Sequence, residues 1–278
     1  MSLTAKQMDP IIRRALREDA AAQDVTTRTL IPLRTPARAR LVARENLVFC
    51  GFSVFKKVFK LREPRIKIKS HFEEGVWVNP GAILAEVFGP ARGVLSAERV
   101  ALNFLQRMSG VATLTRRYVD QLKGTRTKLL DTRKTTPGLR VLEKYAVKIG
   151  GGQNHRFDLK SGIMVKDNHR ALMGSFAQAH QKLKQLPKNI SVVLEVESLE
   201  DLDQALDLGF KQIQLDNMSR SQIQKAVQRA KGKCSLEATG GITLKNIRAI
   251  AETGVDYISV GALTHSAPAV DLSLELEL

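Results

Sequence analysis

The chain has 278 residues, 43% of them hydrophobic, and a formal charge of +16 from 44 Lys and Arg against 28 Asp and Glu. Such a composition excludes a disordered chain and suffices for one large domain, or for a barrel with a small companion. Nucleic acid is the first partner that so much positive charge suggests. Aromatic residues make up only 5%, however, and the basic residues are spread along the chain apart from one dense block around Arg133. An anionic small molecule therefore fits better, and no nucleic-acid partner is expected.

Residues 5–20 read as an amphipathic helix, with Ile11, Ile12, Ala15 and Leu16 on one face and Arg13, Arg14 and Arg17 elsewhere. Charges also run through what would have to be the apolar centre of a signal peptide, and no later run reaches membrane-spanning length. A cytoplasmic location with no membrane partner is expected. Between about 25 and 95 the chain turns to short alternating runs, Ala37 to Val42, Arg65 to Lys69 and Ala82 to Val87, punctuated by prolines and glycines, as in a small β-rich domain. Within it, Asn79, Pro80 and Gly81 are expected to turn a hairpin between two strands. Residues 97–122 form a long helical stretch in which Gly110 marks a candidate break. Cys50 and Cys234 match no metal-ligand or redox spacing and read as reduced thiols.

Beyond residue 125 the pattern repeats as apolar run, polar loop and helix. The runs are Lys128 to Leu130, Gly162 to Val165, Ser191 to Val196, Lys211 to Leu215, Cys234 to Leu236 and Tyr257 to Val260. This alternation predicts a parallel sheet, and the absence of a glycine fingerprint after the first strand favours a barrel over an open doubly wound sheet. In a barrel the residues closing each strand carry the chemistry. Here they are Asp131 to Thr136, then Lys166 to His169, then Glu195 and Glu197, then Asp216 and Asn217. After the fifth and sixth runs come Thr239, Gly240 and Gly241, and then Gly261, small residues that let backbone N–H groups approach a phosphate, aided by a helix N-terminus near Thr243. The stretch from Arg133 to Arg156 supplies cations: Arg133, Lys134, Arg140, Lys144, Lys148, His155 and Arg156. Leu142, Ala146 and Ile149 mark one side of a helix, which places Lys144 on its exposed side. His155 and His169 lack the spacing of zinc ligands, whereas Glu195 and Asp216 suit Mg²⁺ or sugar hydroxyls.

DTRKTTPGLR at 131–140, EKYAVKIGGGQNHR at 143–156, IMVKDNH at 163–169, LEVE at 194–197, LDN at 215–217 and EATGGI at 237–242 resemble the quinolinate phosphoribosyltransferase family. The resemblance extends through REDAAAQDVTT at 17–27 and SAERVALNFLQRMSGVAT at 96–113. It implies an α/β protein with an N-terminal α/β sandwich and a C-terminal incomplete parallel α/β barrel. The expected division is an N-terminal helix over 1–24 packing on the barrel or a partner subunit, the sandwich over 25–110 and the barrel over 111–278. It implies transfer of the phosphoribosyl group of phosphoribosyl pyrophosphate (PRPP) to quinolinate with decarboxylation, with Mg²⁺ as cofactor, in a homodimer or a hexamer.

By the same resemblance, Arg133, His155, Arg156 and Lys166 bind quinolinate, joined by Arg99 from the neighbouring subunit. Lys134 lies near the pyrophosphate. Glu195 and Asp216 hold the ribose hydroxyls and Mg²⁺, and Thr239, Gly240 and Gly261 take the 5′-phosphate. Lys134, Lys166, Glu195 and Asp216 are the expected catalytic set. Ser161 and Thr239 depart from the acidic residue and the Ser common in the family. Two alternatives remain at this level: a paralogue of the same fold from molybdenum-transport operons, and a non-catalytic basic RNA-binding protein.

Overall fold

A computed structural model describes residues 3–187 and 190–277, without the side chain of Arg170. In chain order the elements begin with α1 (Ala5–Glu18), α2 (Val25–Leu30), β1 (Pro36–Ala43), β2 (Leu47–Val48), α3 (Phe52–Arg62), β3 (Lys67–Ser70), β4 (Trp77–Val78), β5 (Ile83–Pro90) and α4 (Ala91–Gln121). Next come β6 (Lys128–Leu130), α5 (Arg140–Ile149), β7 (Ile163–Val165), α6 (Asp167–Met173), α7 (Phe176–Leu183), β8 (Val192–Val196) and α8 (Leu199–Asp207). The last are β9 (Gln212–Asp216), α9 (Arg220–Ala230), β10 (Ser235–Thr239), α10 (Ile247–Ala251), β11 (Tyr257–Ser259), α11 (Ala262–His265) and β12 (Leu272–Glu277). Among the described residues no helix is long and apolar enough to cross a membrane.

The chain divides into two compact units. The first comprises Met1–Arg116, Thr135–Gly151 and Leu263–Leu278, the second Arg117–Lys134 and Gly152–Ala262. The helix at 140–149 and the segment after 262, which the sequence places in the barrel domain, thus fall with the first unit.

The first unit is built on an antiparallel sheet of order β12-β1-β5-β3. Alternation along β1 explains its two faces. Ala39 and Leu41 are fully buried, while Arg38 and Arg40 point the other way. Arg38 reaches Glu86 on β5 at 2.7 Å and Glu277 on β12 at 2.8 Å. α3 buries Val54, Phe55, Val58 and Phe59, and α1 packs against it, with Lys57 and Asp9 paired at 3.2 Å. The N-terminal helix, expected on the barrel or a partner subunit, therefore finds a place within its own unit.

Two expectations are corrected here. Gly110 does not break the long helix, because α4 runs through it without interruption. A side chain there would begin 2.0 Å from the carbonyl oxygen of Pro268, so the glycine serves close approach of a distant segment. Asn79 to Gly81 do make a turn, with Ala82 N–H donating to the carbonyl of Asn79 at 3.2 Å and Gly81 at φ +83°. The strands flanking it do not form a hairpin. β4 pairs with β2, and β5 pairs with β1 and β3.

The second unit is an all-parallel six-stranded sheet of order β6-β11-β10-β9-β8-β7, with helices between successive strands from β7 onward. Beyond β6 the ladder continues through a single bridge from Leu130 to Gln153. Leu194, Ile213, Leu215, Leu236 and Ala238 form a buried apolar face. α8 and α9 bury Leu202, Ala205, Ile223 and Ala226 and lie against β8 and β10 respectively. Both helices are capped at their first turn, Ser198 accepting from Asp201 N–H and Ser219 from Gln222 N–H. The opposite face of the same strands is polar. Glu195, Gln214 and Glu237 stand side by side in register across β8, β9 and β10, and all three are buried.

Candidate active site

The strand-end residues singled out in the second unit gather at one end of its parallel sheet. Arg133 and Lys134 follow β6, Lys166 follows β7, Glu195 lies within β8, Asp216 closes β9 and Thr239 closes β10. Gly240 comes next, and Gly261 lies just beyond β11, the strand beside β10. His155 and Arg156 join them because the segment before them is stitched to β6. Gln153 N–H donates to the carbonyl of Leu129 (2.8 Å) and Asp131 N–H to that of Gln153 (3.0 Å). The fully buried Asp131 carboxylate then accepts from the backbone N–H of His155 at 2.8 Å. Arg99 lies in the first unit, exposed on α4 between the buried Ala97 and Val100.

Arg156 is drawn in by a bond from Nη1 to the carbonyl of Gly162 (2.9 Å). Burial lowers the pKa of its guanidinium, and the nearby positive charge of Arg133 lowers it further. Two guanidinium groups close enough to repel each other make a site that favours a ligand with two negative charges, and their planar forks match carboxylates. Lys166 adds a third cation and is held by the buried Glu195, Nζ to Oε2 at 2.6 Å.

A different arrangement stands at β9 and β10. Asn217 adopts a left-handed backbone (φ +53°) and donates from Nδ2 to Asp216 Oδ2 at 2.9 Å. Its backbone N–H donates to the carbonyl of Thr239 (2.9 Å). Gly240 and Gly241 follow with φ of +86° and +59°. A Cβ on Gly240 would fall 2.2 Å from Asn217 Oδ1, so no other residue fits without displacing Asn217. Successive glycines of this kind bare backbone N–H groups to an anion. The helix N-terminus expected near Thr243 is not there. Residues 243–246 form a turn closed by Thr243 N–H donating to Asn246 Oδ1, and the short α10 begins at Ile247.

Beneath the cation cluster lies a buried carboxylate whose role was not read from the sequence. Glu237, 7% exposed, accepts from Gln214 Nε2 at 2.5 Å on Oε1, while its Oε2 lies 3.3 Å from His155 Nε2. Burial raises its pKa, but the hydrogen bonds from His155 and Gln214 outweigh this, leaving it below the ordinary carboxylate value. The alternation of Ser235, Glu237 and Thr239 along β10 carries the signal that this glutamate shares a face with Thr239, the residue before the Gly240 turn. A cavity of about 280 Å³ lined by His155, Arg156, Glu237, Gln212, Ser235 and Tyr257 opens toward the N-terminal strand ends, and does not include Lys166, Glu195, Asp216 or Thr239. It reaches His155 and Arg156 but none of the other strand-end residues named above.

Lys144 is a further correction. Expected on an exposed side of its helix, it is 1% exposed, as is the adjacent Glu143. Glu143 accepts from Arg107 Nε (3.0 Å) and Nη2 (2.7 Å) and from the N–H and hydroxyl of Thr136 (2.9 and 2.7 Å). Among the described residues no cluster of three or more His, Cys, Asp or Glu is placed to hold a metal. Glu195 and Asp216 offer only two carboxylates, which fits Mg²⁺, an ion that keeps waters and takes phosphate oxygens from a substrate.

The model of the quinolinate phosphoribosyl transferase C-terminal domain matches residues 111–275, and that of the N-terminal domain residues 24–109. The chain belongs to this family. A Bacillus subtilis (strain 168) protein named probable nicotinate-nucleotide pyrophosphorylase (carboxylating) is 39% identical over 273 residues, spanning 98% of this chain and 94% of its own. A Mycobacterium leprae protein named nicotinate-nucleotide pyrophosphorylase (carboxylating) is 42% identical over 273 residues, with 95% of each chain covered. The crystal structure of NadC from Streptococcus pyogenes superposes with a TM-score of 0.95 at 40% identity, covering 100% of this chain and 99% of that one. The motifs from residue 131 to 242 sit within the C-terminal match, whereas REDAAAQDVTT at 17–27 begins ahead of the N-terminal one.

Proposed function

We propose that this protein transfers the phosphoribosyl group of PRPP to quinolinate with loss of CO₂, giving nicotinate mononucleotide and pyrophosphate. The observation that carries this reading is the Arg133 and Arg156 pair beside a parallel sheet whose strand ends also bear the Lys166–Glu195 pair and the Gly240 turn. One part suits a planar dicarboxylate, the other a sugar phosphate. The reaction joins the quinolinate ring nitrogen to C1 of the ribose as the C1–O bond to pyrophosphate breaks. The sugar carbon is cationic in character at that moment, so the chief tasks are alignment and stabilisation of the departing anion.

In this reading Arg133, Arg156 and Lys166 hold the two carboxylates and orient the ring, and Lys134 meets the pyrophosphate. Asp216 and Glu195 hold the ribose hydroxyls, and Thr239, Gly240 and Gly261 take the 5′-phosphate. Glu195 and Asp216 would also hold Mg²⁺, which supplies charge neutralisation for the leaving pyrophosphate. Once alkylated, the ring nitrogen is cationic and accepts the electron pair released when the adjacent C–CO₂⁻ bond breaks, after which a proton replaces CO₂. No enzyme nucleophile is needed. Arg99 is assigned to the active site of a second copy.

The test is direct. Purified protein with quinolinate, PRPP and Mg²⁺ should release CO₂ and nicotinate mononucleotide in equal amounts, and omission of any component should stop both. Arg156→Ala should lose about a thousandfold or more in kcat/KM with its circular dichroism and Tm retained. Near-normal kcat/KM in that variant would overturn the dicarboxylate assignment.

A further inference from the structure

We infer that Glu237 is a positioning residue that sets Arg156 by locking His155 into one tautomer, an inference that rests on the proposed reading of the site. The starting point is the imidazole itself. His155 Nδ1 accepts the backbone N–H of Arg156 at 2.7 Å, so that nitrogen carries no proton. The other nitrogen, Nε2, lies 3.3 Å from a Glu237 oxygen and is the one that bears hydrogen. A neutral imidazole has one donor and one acceptor, and here each is directed at a protein partner. The resemblance places His155 against the substrate carboxylate, but with both nitrogens so engaged the ring works as a strut between a buried carboxylate and the main chain of Arg156.

The strut is fixed at both ends. Glu237 cannot swing away, because its second oxygen is held by Gln214, itself buried on β9. His155 cannot shift along the chain, because its N–H is bound to the buried Asp131. Arg156 is then defined at its backbone by His155 Nδ1 and at its guanidinium by the carbonyl of Gly162. An ionised carboxylate accepts hydrogen bonds and cannot donate them, so Glu237 permits only the Nε2–H form. In the alternative tautomer, Nδ1–H and Arg156 N–H would be two donors face to face. A buried partner that orients a histidine through its second nitrogen is a recurring device around metal and catalytic sites. Here the device orients the residue after the histidine.

The experiment compares wild type, Glu237→Met and Glu237→Gln. Methionine fills the space but cannot accept from Nε2–H. Glutamine can accept through its carbonyl, donating to Gln214 once that amide turns over. In the ¹⁵N–¹H correlation spectrum of wild type at pH 8, His155 should show a protonated Nε2 and a bare Nδ1. Glu237→Met should mix the two tautomers, raise the KM for quinolinate about tenfold or more, and leave the KM for PRPP within about twofold. Glu237→Gln should restore the tautomer and most of the quinolinate KM.

Equal loss for both substrates in Glu237→Met, tracking a lowered Tm, would reduce Glu237 to a packing role and overturn the inference. So would a wild-type spectrum with the proton on Nδ1, a reading available even if Glu237→Met fails to fold. If wild type forms no nicotinate mononucleotide, the functional reading falls while the tautomer measurement still judges the strut.

Discussion

Each of the two compact units buries a glutamate, and the two are satisfied in different ways. Glu143 in the first unit takes four hydrogen bonds, two from the permanently charged Arg107 and two from Thr136. Arg107 goes on to donate to the carbonyls of Ala267 (2.5 Å) and Thr264. One ion pair thus ties the long helix α4 to the turn before α5 and to the segment after α11. Glu237 in the second unit is met by an imidazole and a primary amide. Full compensation by a fixed cation makes a joint. Partial compensation by neutral donors leaves a carboxylate whose charge is still felt by the group beside it, here a histidine joined to the arginine that we propose binds the dicarboxylate.

Mutations can break that contrast. Glu143→Leu should have the largest effect, about 3 kcal/mol or more of lost stability in urea unfolding, because it strands the Arg107 guanidinium among groups arranged for a pair. Activity per folded molecule should stay within reach of wild type. If the loss is small, Arg107 is solvated and the joint is not one. Gly240→Ala should cost about 1–3 kcal/mol from the left-handed backbone, with the collision at Asn217 adding to it. It should raise the KM for PRPP while sparing that for quinolinate, the reverse of the pattern expected at Glu237.

Smaller effects serve as controls. Ser219→Ala removes the side-chain acceptor at the start of α9 and should cost about 1 kcal/mol with both KM values unchanged. The least change is expected in acid. The Glu237 carboxyl lies below its ordinary value in the folded protein, so its ionisation stabilises the fold above the unfolded carboxylate pKa of about 4.3, and this is lost as pH falls through the lower folded value. The stability advantage of wild type over Glu237→Gln should therefore shrink as pH falls below the unfolded value of about 4.3. An advantage that grew in acid would mean that the fold raises this carboxyl's pKa.

The parallel strands of the second unit were legible because each is a short apolar run closed by a polar residue, a signal confined to neighbouring positions. β6 has the same bounds that the sequence suggests, Lys128 to Leu130. The residues at the strand ends were legible for the same reason. What the sequence hid depends on distant partners. Gly110 reads as a helix breaker until Pro268 is known to pass against it, and the turn at Gly81 says nothing about β4 choosing β2. Lys144 was misplaced because helical periodicity finds the apolar stripe but cannot show that a charged residue is buried. Glu237 could have been placed on the right face from alternation in β10, but its pairing with His155 joins two segments that no local pattern connects.

The sheet of the first unit is completed by β12, which pairs along β1 from Arg38↔Glu277 to Ala43↔Leu272. During synthesis, β12 therefore emerges after every strand of the second unit. Until it does, β1, made far earlier, keeps one edge open and exposed to other chains and to chaperones.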